Sequence, residues 1–202
     1  MVSLGMKVSL GHSSASYEIA REAIAGGASV CTHTFNAMKL FHQHDPAIFA
    51  AMLEDGNVFC ELICDGRHVV EGGVRMLLAA KGNGLVVGIT DSIMAAGLPD
   101  GEYQLGVNQI VVKDGDAKLA TADVRAGSTL TMIQALSNFA AFTERPLEEL
   151  VPILTENPAK AIGMGHQIGF IEVGYQGDLN IISPTDLSLV QTVIAGQLVE
   201  KN

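Results

Sequence analysis

Basic residues are scarce in this chain, and they are scattered. Twelve Lys and Arg stand against 22 Asp and Glu in 202 residues, a formal net charge of −10. With no Lys/Arg cluster to track a phosphate backbone, nucleic acid is excluded as a partner. Long apolar runs are also missing. None approaches the ~20 residues that a membrane-crossing helix needs, which excludes a membrane partner. Cysteine is limited to Cys31, Cys60 and Cys64, an odd set in which each member lies inside an apolar, strand-like run. They read as buried, reduced thiols of a cytoplasmic protein. The spacing of Cys60 and Cys64 along one strand is no metal spacing. The amino terminus lacks the charged segment, apolar core and small-residue cleavage site of a signal peptide. Low-complexity linkers, and repeats beyond a strand–helix unit, are absent as well.

Apolar material is plentiful. Hydrophobic residues make up 48% of the chain and the mean hydropathy is +0.31. That is more than a lone domain of this size needs, so the excess is expected to meet protein. The patterning predicts strands over 6–12, 28–33, 58–64 and 85–90. Helices are expected over 16–25, 47–55 and 69–81, with Ser13-Ser14-Ala15-Ser16 as a capping cluster for the first. The order β-α-β-α-β-α-β implies a parallel α/β sheet. Beyond Asp91 the pattern changes. A hairpin is expected from 103–112 and 117–121 around Asp114-Gly115. Helices follow over 128–142, 147–154 and 158–163, the last capped by Asn157-Pro158. Short antiparallel strands over 178–183, 190–195 and 198–199, the last after a Gly196-Gln197 turn, close the chain.

Each parallel strand delivers a polar group just past its carboxyl end. The first ends at His12, the second at His33 and the fourth at Asp91, while the third leads through Asp65-Gly66-Arg67 to His68. Ligand and catalytic groups of parallel α/β architectures collect at that rim. Two imidazoles suit a borderline divalent metal, and an aspartate beside it can move the proton of an attacking water. The spacing therefore points to a metal-dependent hydrolase. The run Phe41-His42-Gln43-His44-Asp45 contains an H-x-H, but it sits in a loop and not after a strand. It reads either as a solvated loop or as a cover whose His44 contacts substrate. Arg125-Ala126-Gly127-Ser128-Thr129 opens a helix. Either Ser128 caps that helix or its free N–H groups hold an anion.

Six motifs together resemble the N-acetylglucosamine-6-phosphate deacetylases of the amidohydrolase superfamily. They are Gly11-His12-Ser13, His33 with Phe35-Asn36-Ala37-Met38, Asp65-Gly66-Arg67-His68, Thr90-Asp91, Gly127-Ser128-Thr129-Leu130-Thr131-Met132 and Asn157-Pro158-Ala159. Gly169, Gly174 and Asp178-Leu179 resemble the superfamily's closing β segment. The resemblance implies a TIM-like (β/α)8 barrel with a small β-sandwich. This chain would supply the carboxyl-terminal half: a partial barrel over 1–165 with a hairpin inserted near 102–121, and a sandwich segment over 166–202. It implies His12 and His33 as ligands of a divalent metal, zinc first, with iron or another divalent ion as alternatives. Asp91 becomes the acid/base. Asn36, Ala37, His44, His68, Arg125, Ala126 and Gly127 line an N-acetylated amino-sugar 6-phosphate.

Two departures accompany the resemblance. His44 stands where the family usually has a phosphate-gripping arginine, and an imidazole grips a dianion less well than a guanidinium fork. Arg67 is the nearest compensation the sequence offers. The chain also begins at what would be the fifth barrel strand, without the family's glutamate ligand. Four strands cannot close a barrel, so strands 6–12 and 85–90 are expected as bare edges. A homo-oligomer, a partner supplying the missing half-barrel, or a longer parent protein would cover them. The other readings are a non-catalytic half-barrel that assembles or binds ligand, and an amidohydrolase of another amide.

Overall fold

The computed structural model describes residues 1–200. Four parallel strands form its centre: β1 (Val8–Leu10), β2 (Ala28–Cys31), β3 (Phe59–Ile63) and β4 (Val86–Ile89), hydrogen-bonded in chain order. Each is shorter than the strand expected there: the backbone leaves the sheet before the site residue, and β1, β3 and β4 also begin one or two residues late. Three helices join them, α1 (Tyr17–Ala25), α2 (Ala47–Glu54) and α3 (Glu71–Lys81). Four strand–helix units in series, with strands in sequential order, are what half of an eight-stranded βα barrel contributes. As expected, β1 and β4 are the edges of this sheet.

Local chemistry explains the helix bounds. Ser16 caps α1 by accepting the Ile19 N–H at 3.4 Å, and Gly26-Gly27 ends it. α2 packs between α1 and α3, with Ala47, Ile48, Phe49, Ala51 and Met52 all buried. Its last carbonyls need donors that water cannot reach. The buried Lys81 supplies them from the end of α3, its Nζ donating to Met52 O at 2.9 Å and Asp55 O at 2.5 Å.

After β4 comes an antiparallel sheet of three strands, not the expected two: β5 (Gly101–Leu105), β6 (Asn108–Lys113) and β7 (Asp116–Leu119). The expected strand 103–112 is broken by a turn at Gly106-Val107, where Gly106 takes φ +58°. α4 (Met132–Thr143), α5 (Leu147–Leu154) and α6 (Glu156–Ala161) follow. The cap of α4 is Thr131, whose Oγ1 accepts from Gln134 N at 3.2 Å, and not Ser128. Asn157 lies inside α6 and does not cap it. Its Nδ2 donates to Asn83 O at 2.5 Å and Val86 O at 2.7 Å, satisfying a carbonyl of the β4 edge. The final sheet has β8 (Leu179–Ile182), β9 (Leu189–Ile194) and β10 (Gln197–Leu198), with the last turn at Ala195-Gly196, one residue earlier than expected.

One main core lies between the sheet and its helices. Cys60, Leu62 and Val86 meet Met52, Val74, Leu77, Phe139 and Ile153 there, all 0% exposed. A Cβ at Gly88 would stand 2.3 Å from Leu154 Cδ2 and 3.1 Å from Phe139 Cε2, so a larger residue there would make both side chains shift where α4 and α5 pack on β4. The cysteines are free and buried in this core, as read from the sequence. Burial, reinforced by the Asp65 charge, pushes the Cys64 thiol up to about 12, and a hydrogen bond to Cys60 together with burial raises Cys31. The hydrogen bond from Cys31, with the Lys81 charge, instead lowers Cys60 against its burial, so Cys31 and Cys64 lack both thiolate and access, and Cys60 lacks access. A thiol titration of the native chain is expected to find none of the three reactive, and all three in guanidinium. Labelling at native-state rates comparable to free cysteine would contradict this packing.

Candidate active site

The site is made where the parallel strands stop. His12 (φ 46°), His33 (φ 28°) and Asp91 (φ 50°) each follow a strand in the left-handed region, as do Phe35 (φ 81°) and Ala37 (φ 50°) in the β2 loop. Such backbone costs about 1–3 kcal/mol per non-glycine residue and persists only where surroundings hold it. The strain turns side chains back over the ends of the sheet. His12 and His33 converge, their Nε2 atoms 2.7 Å apart and their rings edge to face at 4.5 Å. His33 is 7% exposed, and its buried Nδ1 has no hydrogen-bond partner. The two Nε2 atoms are hydrogen-bonded to each other, and two imidazole nitrogens side by side form a donor pair suited to a divalent metal. Among the described residues, no group of three or more His, Cys, Asp and Glu stands close enough to share an ion. The residues present therefore fit part of a metal site.

Glu61, which the sequence reading did not single out, lies beside this pair. It is the one acid in the apolar run of β3, and that break in the pattern was its signal. Its Oε2 accepts the His33 backbone N–H at 3.2 Å. Burial pushes its carboxyl above the ordinary range. The His33 amide and ring oppose that, while the Asp91 charge adds to it. Glu61 is thus within electrostatic reach of two of the residues expected at the site.

Asp91 is exposed at the end of β4, and its loop is strapped to the segment before α4. Ser128 N donates to Asp91 O at 2.8 Å, Ile93 N donates to Ser128 O at 2.9 Å, and Ser128 Oγ donates to Thr90 O. This explains Gly127, which runs against Asp91 at φ +67°. A Cβ there would meet Ile93 Cγ2 at 2.5 Å and Asp91 O at 2.9 Å. Ala126 and Gly127 therefore border the Asp91 loop. The Arg125 guanidinium points to other work, holding Asp116 through Nε at 2.9 Å and Nη2 at 3.2 Å. Asp116 also faces Lys118 at 3.7 Å and Arg67 at 3.9 Å. Arg67 further donates to Asp114 O at 2.5 Å, so both arginines fasten the β5–β7 sheet to the rim.

His68 is fixed by its own turn. Asp65 Oδ2 lies 2.6 Å from His68 Nδ1, and Oδ1 accepts the amides of Arg67 at 2.8 Å and His68 at 2.7 Å. A carboxylate only accepts, so Nδ1 carries a proton, and in the neutral ring Nε2 is then the acceptor. Burial pushes the Asp65 carboxyl up, but these hydrogen bonds outweigh it and leave it below its usual value. Asn36 folds back on its turn, its Nδ2 3.2 Å from His33 O and 3.3 Å from Thr34 O. Ala37 is exposed next to it. His44 is exposed in a closed turn where His42 pairs with Asp45, and Lys39 holds Asp45 at 2.5 Å. The structure thus brings His12 and His33 together, sets Glu61 beside them, joins Gly127 to Asp91, and leaves His44 on an exposed loop.

A parallel βα sheet that presents histidines and an aspartate from its strand ends defines an α/β protein with its candidate site on that rim. The chain belongs to the amidohydrolase family, whose model matches residues 1–199. It is 35% identical over 195 residues to an N-acetylglucosamine-6-phosphate deacetylase of Vibrio furnissii, covering 96% of this chain and 48% of that relative. A deacetylase of the same name from Lysinibacillus sphaericus is 39% identical over 194 residues, 96% of this chain and 49% of that protein. The solved N-acetylglucosamine-6-phosphate deacetylase of Thermotoga maritima superposes with a TM-score of 0.91 at 35% identity, covering 97% of this chain and 53% of that one. An aspartate-to-alanine variant of the Mycobacterium smegmatis enzyme, solved in complex with N-acetyl-D-glucosamine-6-phosphate, gives 0.93 at 34% identity, over 98% and 52%. The chain spans about half the length of the curated relatives it matches.

Two outcomes are expected of this geometry. Gly127→Ala should lower stability by about 2 kcal/mol, from the strained φ and the clash with Asp91 O, read as a lower urea midpoint. Asp65→Asn should cost stability at neutral pH. A depressed carboxyl contributes stability above its unfolded value and loses it as pH falls through the folded one. The gap between parent and variant should therefore be constant at and above about pH 5, and shrink below about pH 4. A gap that widens toward acid would refute the Asp65–His68 assignment.

Proposed function

We propose that this chain carries the strand-end half of an N-acetylglucosamine-6-phosphate deacetylase site. The reaction is hydrolysis of N-acetyl-D-glucosamine 6-phosphate to glucosamine 6-phosphate and acetate, in amino-sugar catabolism. The observation that carries the reading is the convergence of the His12 and His33 Nε2 atoms at 2.7 Å on the rim that also bears Asp91. Names and substrates of the relatives support it. His12 and His33 would hold a divalent metal, zinc first, with iron or another divalent ion as the alternatives. When bound, such an ion supplies the Lewis acidity that amide hydrolysis calls for. Asp91 takes a proton from the attacking water on its carboxylate. It returns that proton to the amine nitrogen as the C–N bond breaks and the acetyl carbon leaves as acetate. Asn36 and Ala37, on the β2 turn, meet the sugar phosphate, with His44 on the loop beyond. His68, held with Nε2 as acceptor, and the Arg125-Ala126-Gly127 turn complete the lining. Arg125 must exchange Asp116 for substrate, or act through its backbone.

By the same reading, residues 1–165 are the partial barrel, with the hairpin near 102–121 inserted, and 166–202 belong to a β-sandwich. The open edges β1 and β4 call for the complementary half-barrel, from a longer parent, a partner chain or a homo-oligomer. The buried free thiols fit a cytoplasmic setting, and no helix among the described residues is long and apolar enough to cross a membrane. The lack of a third metal ligand among the described residues favours one other reading, a half-barrel that assembles or binds ligand without catalysis of its own.

Acetate release from the phosphorylated sugar, measured with this chain alone and with an added amino-terminal half from a relative, tests the proposal. Asp91→Asn is expected to lower the assembled rate by about 10²–10⁴-fold, the size of a general acid–base contribution. An unchanged rate in that variant, or equal turnover of the unphosphorylated sugar, would overturn it.

A further inference from the structure

Glu61 is held where the deacetylase reading has no role for it. It lies on β3 between Cys60 and Leu62, which pack into the core, so its side chain stands on the opposite face of the sheet. The paired register of β2 and β3 ends at Cys31 and Cys60. Past that point the backbone of β2 enters the left-handed conformation of His33, φ 28°. Two clamps hold this turn. On the carbonyl side, His33 O accepts from Asn36 N at 3.0 Å and Asn36 Nδ2 at 3.2 Å. On the amide side, the acceptor is the Glu61 carboxylate at 3.2 Å, while the Glu61 carbonyl accepts from Thr34 N at 2.8 Å. A single residue of β3 therefore fixes the two consecutive amides that redirect the chain.

We propose that Glu61 is a positioning residue: by accepting the His33 N–H it sets the turn that aims His33 Nε2 at His12 Nε2. Its use to a metal rests on the reading that this histidine pair holds one. What the turn requires is an acceptor oxygen at this point, not a charge. Glutamine retains the acceptor, whereas alanine and methionine remove it, methionine filling the space. Groups that orient a ligand histidine are typically worth about 10–100-fold in metal affinity.

The test uses the parent chain with Glu61→Gln, Glu61→Ala and Glu61→Met, each checked for a native circular dichroism spectrum and urea midpoint. Three quantities are read at one pH: hydrogen exchange of the His33 amide, the ring-nitrogen resonances of His12 and His33, and the dissociation constant for cobalt(II). In the alanine and methionine variants the amide should exchange at least about tenfold faster, both ring signals should move, and cobalt should bind at least about tenfold more weakly. In the glutamine variant the amide and rings should match the parent, with cobalt affinity within about threefold. Unchanged amide and ring signals in the methionine variant would overturn the proposal. So would a glutamine variant as disturbed as the methionine one. If the parent binds no cobalt, the metal reading fails by itself, and the amide and ring signals still decide the role of Glu61.

Discussion

The site depends on how four short parallel strands end. A parallel sheet sets its strand ends side by side, but it does not aim the residues just beyond them. Here aiming is done by backbone in the left-handed region at His12, His33 and Asp91, a conformation that L-residues adopt only when neighbours hold it. The neighbours are specific. Glu61 and Asn36 hold His33, and Ser128 holds the Asp91 loop, with Gly127 allowing the close approach. Local strain at the rim is thus balanced by hydrogen bonds from within the turn, through Asn36, and from distant elements, through Glu61 and Ser128.

Below the rim, buried polar groups do a similar task for the scaffold. Lys81 donates to the otherwise unsatisfied end of α2, and Asn157 reaches across to the carbonyls of Asn83 and Val86. A buried ammonium or amide is costly unless its hydrogen bonds are made. Each of these therefore commits two elements to one arrangement. Gly88 does so by absence, since a larger residue would displace the Leu154 and Phe139 side chains that α5 and α4 lay on β4. The β5–β7 sheet is joined to the rim by charge, through Arg67, Lys118 and Arg125 around Asp116. The ion pairs around Asp116 are partly exposed, whereas Lys81 and Asn157 beneath the sheet are buried.

Amidohydrolase membership, and a match to about half the length of solved deacetylases, give the open sheet its context. The edges β1 and β4 do not close on each other, though the Val86 carbonyl on β4 is already taken by Asn157. The last sheet leaves Ile181, Val190, Ile194 and Leu198 about half exposed or more. A half-barrel and an uncovered three-stranded sheet share one physical need, apolar and hydrogen-bonding surface to pair with.

The amino-acid sequence by itself determined the element order, the parallel sheet and the strand-end positions of His12, His33, His68 and Asp91. Period and punctuation are local: apolar runs, caps and glycines act over a few residues, and so can be read along the chain. Lengths and roles were less legible. The strands came out shorter: all four lose their last residues as the chain turns out of the sheet, and β1, β3 and β4 also begin one or two residues late. The expected strand 103–112 split because Gly106 can take a positive φ. Cap assignments at Ser128 and Asn157 failed because both side chains hydrogen-bond to segments distant in sequence. Only the tertiary structure brought the two imidazoles to 2.7 Å, placed Glu61 against His33, and engaged Arg125 with Asp116. These are contacts between residues 9 to 28 positions apart. Whether such groups meet depends on strand register, turn conformation and packing together, which no local pattern encodes.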